Sequence, residues 1–220
     1  MIQLPDFEKA FDYENNFYLA SAISRMYKPI IHYELYKKVL GVPGAFVELG
    51  IFKGISFVRF LAYREMIDGN NHRKFIGFDA FGHFPKATLD SDKKMLSKFL
   101  EDAGDQSISK TQLETVLERK GVEHNVELIS GNINETVPKF IEENPDITLS
   151  LIHLDVDLYE PSVTSLEYLF PRLSKGGILI LDDYKVWEGE SKAVDEYFAD
   201  TSIQIRSFPF AKAPSYIIKE

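Results

Sequence analysis

The chain has no cysteine among its 220 residues, which excludes disulfides, thiolate metal sites and cysteine nucleophiles. Positive charge is also scarce, because 25 Lys and Arg face 34 Asp and Glu and leave a net charge of −9. A nucleic-acid partner is therefore not expected, since binding one requires clustered Lys and Arg to neutralise its phosphates. A small-molecule ligand fits this charge better.

Membrane-spanning and targeting segments are lacking as well. No apolar run approaches the roughly 18 residues needed to cross a bilayer. The first residues show no basic segment followed by an apolar one, which is the pattern of a signal peptide. We therefore expect a cytoplasmic protein with no membrane partner.

The pattern of apolar runs predicts an α/β domain. Five runs rich in Val, Ile, Leu or Phe end at Gly, Asp or Ser, and they cover residues 45–50, 74–79, 125–130, 149–155 and 177–183. Segments with helical periodicity separate them, which predicts a parallel sheet covered on both faces. A helix over 191–200 and two closing strands complete a mostly parallel, seven-stranded sheet with an antiparallel edge strand. The length fits a single domain over 1–220.

Two segments interrupt this regular alternation. Residues 1–44 precede the first strand and are predicted to form a helical cap over the active edge of the sheet. Residues 80–121, helical over 92–121, form a lid-like insertion between the second and third strands. Apolar residues of the cap also favour a homodimer, namely Tyr18, Leu19, Ile23 and Met26.

The first two strands end in residues suited to a nucleoside. Glu48, Gly50 and Gly54 surround the turn after the first strand, where glycine allows a ligand to approach the backbone closely. Asp79 ends the second strand and is placed to accept hydrogen bonds from both ribose hydroxyls. The turn lacks the full G-x-G-x-x-G spacing, which disfavours NAD. The alternatives are an ordinary structural turn and an aspartate that caps the next turn.

Three aspartates predict a metal site. Asp155 and Asp182 are 27 residues apart, one helical crossover, so they end adjacent parallel strands, and Asp183 follows directly. Grouped carboxylates repel one another unless a cation compensates, and such oxygens suit Mg²⁺ or Mn²⁺. The alternative is that two of them cap helices and one pairs with a lysine. Asp157, two residues past Asp155, is a candidate general base or a support for the metal.

The histidines do not indicate a zinc site. His153 lies in mid-strand, where a buried, hydrogen-bonded core histidine is expected. The others show no metal-ligand spacing, and they are His32, His72, His83 and His124.

Taken together, these motifs resemble a known family. They are GVPGAFVELGIFKGIS, GFDAFGHFP, GNINETVP, IHLDVDLYEPS, YLFPRLSKGGILILDDY and the following W-E-G-x-x-K-A-V-D. The sequence is similar to the macrocin O-methyltransferases from about Phe17 to Phe198. The resemblance implies a Rossmann-like class I methyltransferase fold that uses S-adenosylmethionine and Mg²⁺.

The resemblance also implies roles for individual residues. Asp155, Asp182 and Asp183 would bind the metal and Asp157 would be the general base, with Asp155 also placed among the catalytic and cofactor-binding residues. The remaining cofactor contacts would come from Glu48, Gly50, Ser56, Asp79 at the ribose, and Gly131 and Asn132 near the adenine.

The expected function is methyl transfer from S-adenosylmethionine to a hydroxyl of a small molecule, a sugar or an aromatic diol bound through the metal. Aromatic residues are candidates for the wall of the acceptor pocket, namely Phe81, Phe84, Tyr159, Tyr184 and Trp187. Two alternatives remain open: an NAD-linked oxidoreductase on the same sheet, and a non-catalytic module that binds a nucleoside.

Overall fold

The five apolar runs form five parallel strands in the computed structural model, which describes residues 2–69 and 73–220. Their bounds are β1 Ala45–Leu49, β2 Phe75–Asp79, β3 Val126–Ser130, β4 Leu149–Leu154 and β5 Leu173–Leu181. Each predicted run falls on its strand, and β5 begins four residues earlier than predicted. His72 lies outside the described residues.

The sheet has seven strands in the order β3-β2-β1-β4-β5-β7-β6, in which β6 is Arg206–Ser207 and β7 is Ser215–Ile218. Strand β7 runs antiparallel to both β5 and β6. The predicted mostly parallel sheet is therefore confirmed, with the antiparallel strand one position in from the edge. The order reverses between β1 and β4, and ligands of open α/β sheets bind at such a reversal, beyond the carboxyl ends of the strands.

Helices cover both faces of the sheet. Their bounds are α1 Ala10–Ala20, α2 Ile23–Lys38, α3 Ile55–Ile67, α4 Asp90–Ala103, α5 Lys110–Lys120, α6 Ile133–Glu143, α7 Tyr159–Leu169 and α8 Glu188–Phe198. Apolar residues of α6, α7 and α8 pack on one face, and those of α2, α3 and α5 pack on the other. Both faces are thus buried, which is why the parallel strands read as continuous apolar runs.

The N-terminal cap consists of two different helices. Helix α2 buries Ile31, Leu35 and Tyr36 in the core, whereas α1 buries none of its residues. Within residues 2–69 and 73–220, no helix combines the length and apolarity needed to cross a membrane.

The insertion over 80–121 divides into two parts. Helix α5 carries Leu113 and Leu117 into the core, as an ordinary crossover helix does. Helix α4 instead joins a small separate cluster with Leu158 and Trp187, which lie in the segments following β4 and β5. The loop before α4 and the C-terminal part of α4 are the parts of the insertion that line the crevice at the ends of the strands, for example at Phe84 and Phe99.

Candidate functional site

A crevice of about 1320 Å³ opens at the carboxyl ends of β1, β2, β4 and β5. Single-ligand pockets commonly measure about 300–1,000 Å³, so this one has room for two small molecules. Of the predicted site residues, all except Glu48 line it, namely Gly50, Ser56, Asp79, Gly131, Asn132, Asp155, Asp157, Asp182 and Asp183. The fold thus brings predicted site residues that are distant in the sequence together in one crevice. Among the predicted aromatics, Phe84 and Trp187 line it.

The turn after β1 requires glycine at Gly50. Its φ is +85°, and a Cβ atom there would lie 1.9 Å from the carbonyl oxygen of Asp155. The backbone of the turn therefore passes directly against the start of the acidic loop after β4. Helix α3 begins just beyond, after Gly54.

Asp79 organises this turn. One carboxylate oxygen accepts hydrogen bonds from the backbone N–H groups of Ile51 and Phe52, both at 2.9 Å, and the other accepts one from Phe81 at 2.6 Å. A carboxylate offers about four acceptor positions. One therefore remains for a ligand, and the contact of Asp79 with the ribose stays a prediction. The alternative role of Asp79 as a turn cap is present in any case.

Glu48 lies behind the wall of the crevice instead of on its surface. It is fully buried, and its Oε1 accepts a hydrogen bond from Ser56 Oγ at 2.6 Å. Its Oε2 lies 3.3 Å from Nδ1 of His153. In this arrangement Glu48 orients Ser56, which does line the crevice, and has no surface of its own toward a ligand.

His153 links Glu48 to the metal-site candidates, since its Nε2 lies 3.3 Å from Asp182 Oδ1. Burial lowers the pKa of His153, but the two carboxylates outweigh this effect and raise it to about 10. The two carboxylates thus favour the protonated form of the ring, which lies between Glu48 and Asp182. The prediction of a buried core histidine is confirmed. The sequence did not indicate that His153 lies between two carboxylates.

His32 approaches the same carboxylate, with Nε2 3.4 Å from Asp182 Oδ1. Burial lowers the pKa of His32 to about 4, so this ring is neutral. The inference that the histidines do not cluster is wrong, because His32 and His153 meet at Asp182 from opposite ends of the chain. Ligand atoms of His32, His153 and Asp182 lie within 4.8 Å of one another, next to the aspartates predicted to bind a metal.

Lys28, from α2, lines the crevice and ion-pairs with Asp182 Oδ2. Burial lowers the pKa of Lys28, but the carboxylates of Asp182, Asp155 and Asp183 outweigh it and raise the pKa above its usual value. Burial also disfavours the charged form of Asp182, yet Lys28 and the histidines hold its pKa well below the usual range.

Asp155, Asp157 and Asp183 form a close cluster of carboxylates, the acidic group of the crevice. Each offers an oxygen within 4.8 Å of the others. Burial, then the neighbouring carboxylates, raise the pKa of all three. Such a set of close, partly desolvated oxygens is the donor chemistry that a hard divalent cation prefers, so the residues fit Mg²⁺ or Mn²⁺. Two of the predicted ligands, Asp155 and Asp183, thus lie together with the predicted base, Asp157. The third predicted ligand, Asp182, lies beside them and contacts the two histidines.

Backbone strain is concentrated around the crevice. Phe52, Phe81, Asp157 and Lys185 have φ between 49° and 67°, which non-glycine residues seldom adopt. They follow β1, β2, β4 and β5, respectively. Strain of this kind persists where the surroundings enforce it, commonly at binding and active sites.

Gly131 and Asn132 follow β3 at the other end of the crevice. Gly131 has φ +143°, and a Cβ there would lie 2.8 Å from Thr136. Asn132 caps α6 by accepting a hydrogen bond from the N–H of Asn134 at 3.1 Å. Their predicted place near the adenine stays a prediction.

Sequence reasoning missed Glu190, which is fully buried beside the acidic group. Its Oε1 accepts a hydrogen bond from the N–H of Asp183 at 3.2 Å, and its own N–H donates to the carbonyl of Asp157 at 3.1 Å. Burial, followed by Asp183, raises the pKa of Glu190 well above its usual value. Lys28 was missed too. The only available signal was their position in segments flanking the site, since neither lies at a strand end.

Comparison with known proteins agrees with this geometry. Residues 34–207 match the family model described as macrocin O-methyltransferase (TylF). The chain belongs to this family. The resemblance and the fold class predicted from the sequence are thereby confirmed.

Several relatives methylate sugars of bacterial natural products. The 8-demethyl-8-(2,3-dimethoxy-alpha-L-rhamnosyl)-tetracenomycin-C 4'-O-methyltransferase of Streptomyces olivaceus is 34% identical over 150 residues, 66% of this chain and 55% of that protein. The mycinamicin III 3''-O-methyltransferase of Micromonospora griseorubida is 29% identical over 71% of this chain and 61% of its own length. The chain thus spans a little over half the length of these curated relatives.

A solved structure covers nearly all of the fold. The calicheamicin methyltransferase CalS11 superposes with a TM-score of 0.81 at 29% identity, over 98% of this chain and 86% of that one. The O-methyltransferase NovP shares the fold with a TM-score of 0.74 at 24% identity, over 87% of this chain and 79% of that one.

Proposed function

We propose that this protein transfers a methyl group from S-adenosylmethionine to a hydroxyl of a small molecule, with a divalent metal at the acidic group. The observation that carries the proposal is the meeting, in one crevice, of the Gly50 turn with Asp155, Asp157, Asp182 and Asp183. The family membership supports the reaction class.

The cofactor side of the crevice is built by the turn after β1. S-adenosylmethionine supplies an electrophilic methyl group on a sulfonium. Gly50 leaves space against the backbone, Ser56 is oriented by Glu48, and Asp79 has one acceptor position for a ribose hydroxyl. Gly131 and Asn132 border the adenine.

The acceptor side is built by the loops after β4 and β5. Asp155, Asp182 and Asp183 would hold Mg²⁺ or Mn²⁺, which supplies Lewis-acid polarisation of the acceptor hydroxyl. Asp157 would take the hydroxyl proton, because its carboxylate lies within 4.8 Å of those of Asp155 and Asp183 and burial raises its pKa. Lys28 and His153 compensate the charge of Asp182.

The acceptor proposed here is a sugar hydroxyl of a natural product or its precursor. The relatives from Streptomyces olivaceus and Micromonospora griseorubida are named for sugar positions, and CalS11 is described as a TDP-rhamnose 3'-O-methyltransferase. A vicinal diol would offer two oxygens to one cation.

Methyl transfer to a panel of sugar and aromatic diols, measured with and without EDTA, tests the proposal. We expect turnover that EDTA abolishes and Mg²⁺ restores. Asp155→Asn should lower kcat by about 10²- to 10⁴-fold, the range typical of removing an essential catalytic group. Asp146→Asn, at an exposed site before β4, is the matched control and should retain full rate. Full activity in EDTA would contradict the metal mechanism.

Binding of Mn²⁺, followed by electron paramagnetic resonance, separates ligand from base. If Asp182 is a ligand and Asp157 the base, Asp182→Asn weakens Mn²⁺ binding at least tenfold while Asp157→Asn leaves it within about threefold but stops turnover. The reverse pattern would exchange the two roles.

The oxidoreductase and binding-module alternatives differ in ligand. Calorimetry should show binding of S-adenosylhomocysteine and none of NADH. Binding of the nucleoside without turnover of any acceptor would favour the non-catalytic module.

A further inference from the structure

Asp92 is a buried carboxylate that the proposed reaction does not use. It lies in the first turn of α4, is 1% exposed, and accepts hydrogen bonds from two backbone N–H groups of other elements. Its Oδ2 accepts from Tyr159 at 3.3 Å and its Oδ1 from Gly189 at 2.9 Å. Burial raises the pKa of Asp92, and these two hydrogen bonds oppose that change.

Those two N–H groups belong to the first turns of α7 and α8. First-turn N–H groups have no partner within their own helix and are normally satisfied by a polar residue just before it. Here the preceding residues are Leu158 and Trp187, and neither helix has a side-chain cap of its own. A single carboxylate from α4 therefore caps both helices.

The surroundings are shaped around this carboxylate. A Cβ atom on Gly189 would lie 2.1 Å from Asp92 Oδ2 and 2.6 Å from the N–H nitrogen of Tyr159. Leu158 and Trp187 pack with Leu96 in the apolar cluster on the buried side of α4. The glycine of the W-E-G motif is thus explained by the space that Asp92 occupies.

The position of the two capped helices connects Asp92 to the site. Helix α7 follows the loop that carries Asp155 and Asp157, and α8 follows the loop that carries Asp182 and Asp183. Phe99, on the same α4 helix as Asp92, lines the crevice. Asp92 therefore joins α4, which lines part of the crevice, to the helices that follow both acidic loops.

We propose that Asp92 is a positioning residue that fastens α4 to the first turns of α7 and α8 and so sets the separation of the two acidic loops. It does not touch substrate or metal. The inference rests on the proposed function where it predicts effects on metal binding and on turnover. Its structural part, the joint capping of two helices, stands by itself.

The test compares Asp92→Asn with Asp90→Asn, a change of the same chemistry at an exposed position of the same helix turn. An amide can accept one of the two N–H bonds but presents its NH₂ group to the other. We expect Asp92→Asn to weaken Mn²⁺ binding about tenfold, to lower kcat at least tenfold and to raise the acceptor KM. The Kd of S-adenosylhomocysteine should change less than that of Mn²⁺, because Asp92 bonds to the first turns of α7 and α8, whereas α4 contacts the turn after β1 through its other end, at Phe99 and Ala103. Asp90→Asn should match the unmodified protein in all four.

Hydrogen exchange distinguishes failure of this inference from failure of the proposed function. Amide exchange at Tyr159 and Gly189 should accelerate at least tenfold in Asp92→Asn whether or not any acceptor is methylated. Gly189→Ala, which keeps Asp92 but displaces its carboxylate, should reproduce the loss of Mn²⁺ affinity. Unchanged exchange and Mn²⁺ affinity in Asp92→Asn would overturn the proposal. An equal weakening of Mn²⁺ and nucleoside binding would also overturn it, since that indicates general loss of structure.

Discussion

At the scale of single residues, the shape of the crevice depends on a few side chains that fix the backbone of its turns. Gly50 has φ +85° and lies against the carbonyl of Asp155. Asp79 accepts three backbone hydrogen bonds, two of them from the turn after β1. Asp157 carries its carboxylate on a left-handed backbone, with φ +63°. The turn after β1 therefore approaches the loop after β4 too closely for any side chain at position 50.

Gly50→Ala should consequently be damaging. The left-handed conformation and the overlap with Asp155 together predict a loss of about 2–4 kcal/mol in the free energy of unfolding, measured by urea denaturation. Gly41→Ala, where no atom lies within 4 Å of the new Cβ, is the control. It should change the free energy of unfolding by no more than about 0.5 kcal/mol. Equal stability of the two variants would contradict the close approach.

At the scale of elements, the cap helix α2 is fastened to the sheet by one buried arginine. Arg73 donates to the carbonyls of Val39 and Gly44 at 3.0 and 2.8 Å, and it pairs with Asp68 at 2.8 Å. Val39 lies at the end of α2, where carbonyl groups lack helical partners. Since α2 also supplies Lys28 and His32 to the site, this anchor holds the side chains that reach Asp182.

Arg73→Ala should destabilise the protein by about 3–5 kcal/mol, because it leaves Asp68 as an uncompensated buried charge. Thermal unfolding followed by circular dichroism measures the change. Lys74→Ala, which removes a largely exposed pair with Glu127, is the matched control and should cost at most about 1 kcal/mol. A small effect at Arg73 would mean that α2 is held mainly by apolar packing.

At the scale of the whole molecule, α1 and the start of α2 present apolar side chains that the described part of this chain does not bury. Leu19 and Ile23 are 87% and 83% exposed. The homodimer predicted from the sequence stays a prediction, as do the cytoplasmic location and the absence of a nucleic-acid partner.

Size-exclusion chromatography with light scattering should give twice the 25.2 kDa chain mass, if α1 and the start of α2 form the dimer interface. Replacing Leu19 and Ile23 by Lys should shift the protein to the monomer, because two charges would be buried in an apolar contact. Glu14→Lys, on the same exposed helix, is the control for charge alone. A monomeric unmodified protein would refute the prediction.

The residues at the ends of the strands were predictable from the sequence because two local rules determine their place. Apolar runs mark buried parallel strands, and the carboxyl ends of parallel strands share one edge of the sheet. Asp79, Asp155, Asp182 and Asp183 follow from those rules, and the fold and family follow from the same motifs.

Contacts between elements were decided only by the tertiary structure. His32 and His153 meet at Asp182, and Asp92 reaches Tyr159 and Gly189 across 67 and 97 residues of sequence. Glu48 and Asp79 likewise accept hydrogen bonds from groups of other segments, Ser56 for Glu48 and the turn after β1 for Asp79. Periodicity tells which face of an element is buried, but which buried polar groups meet depends on how the helices pack on the sheet and on the need of each buried donor and acceptor for a partner.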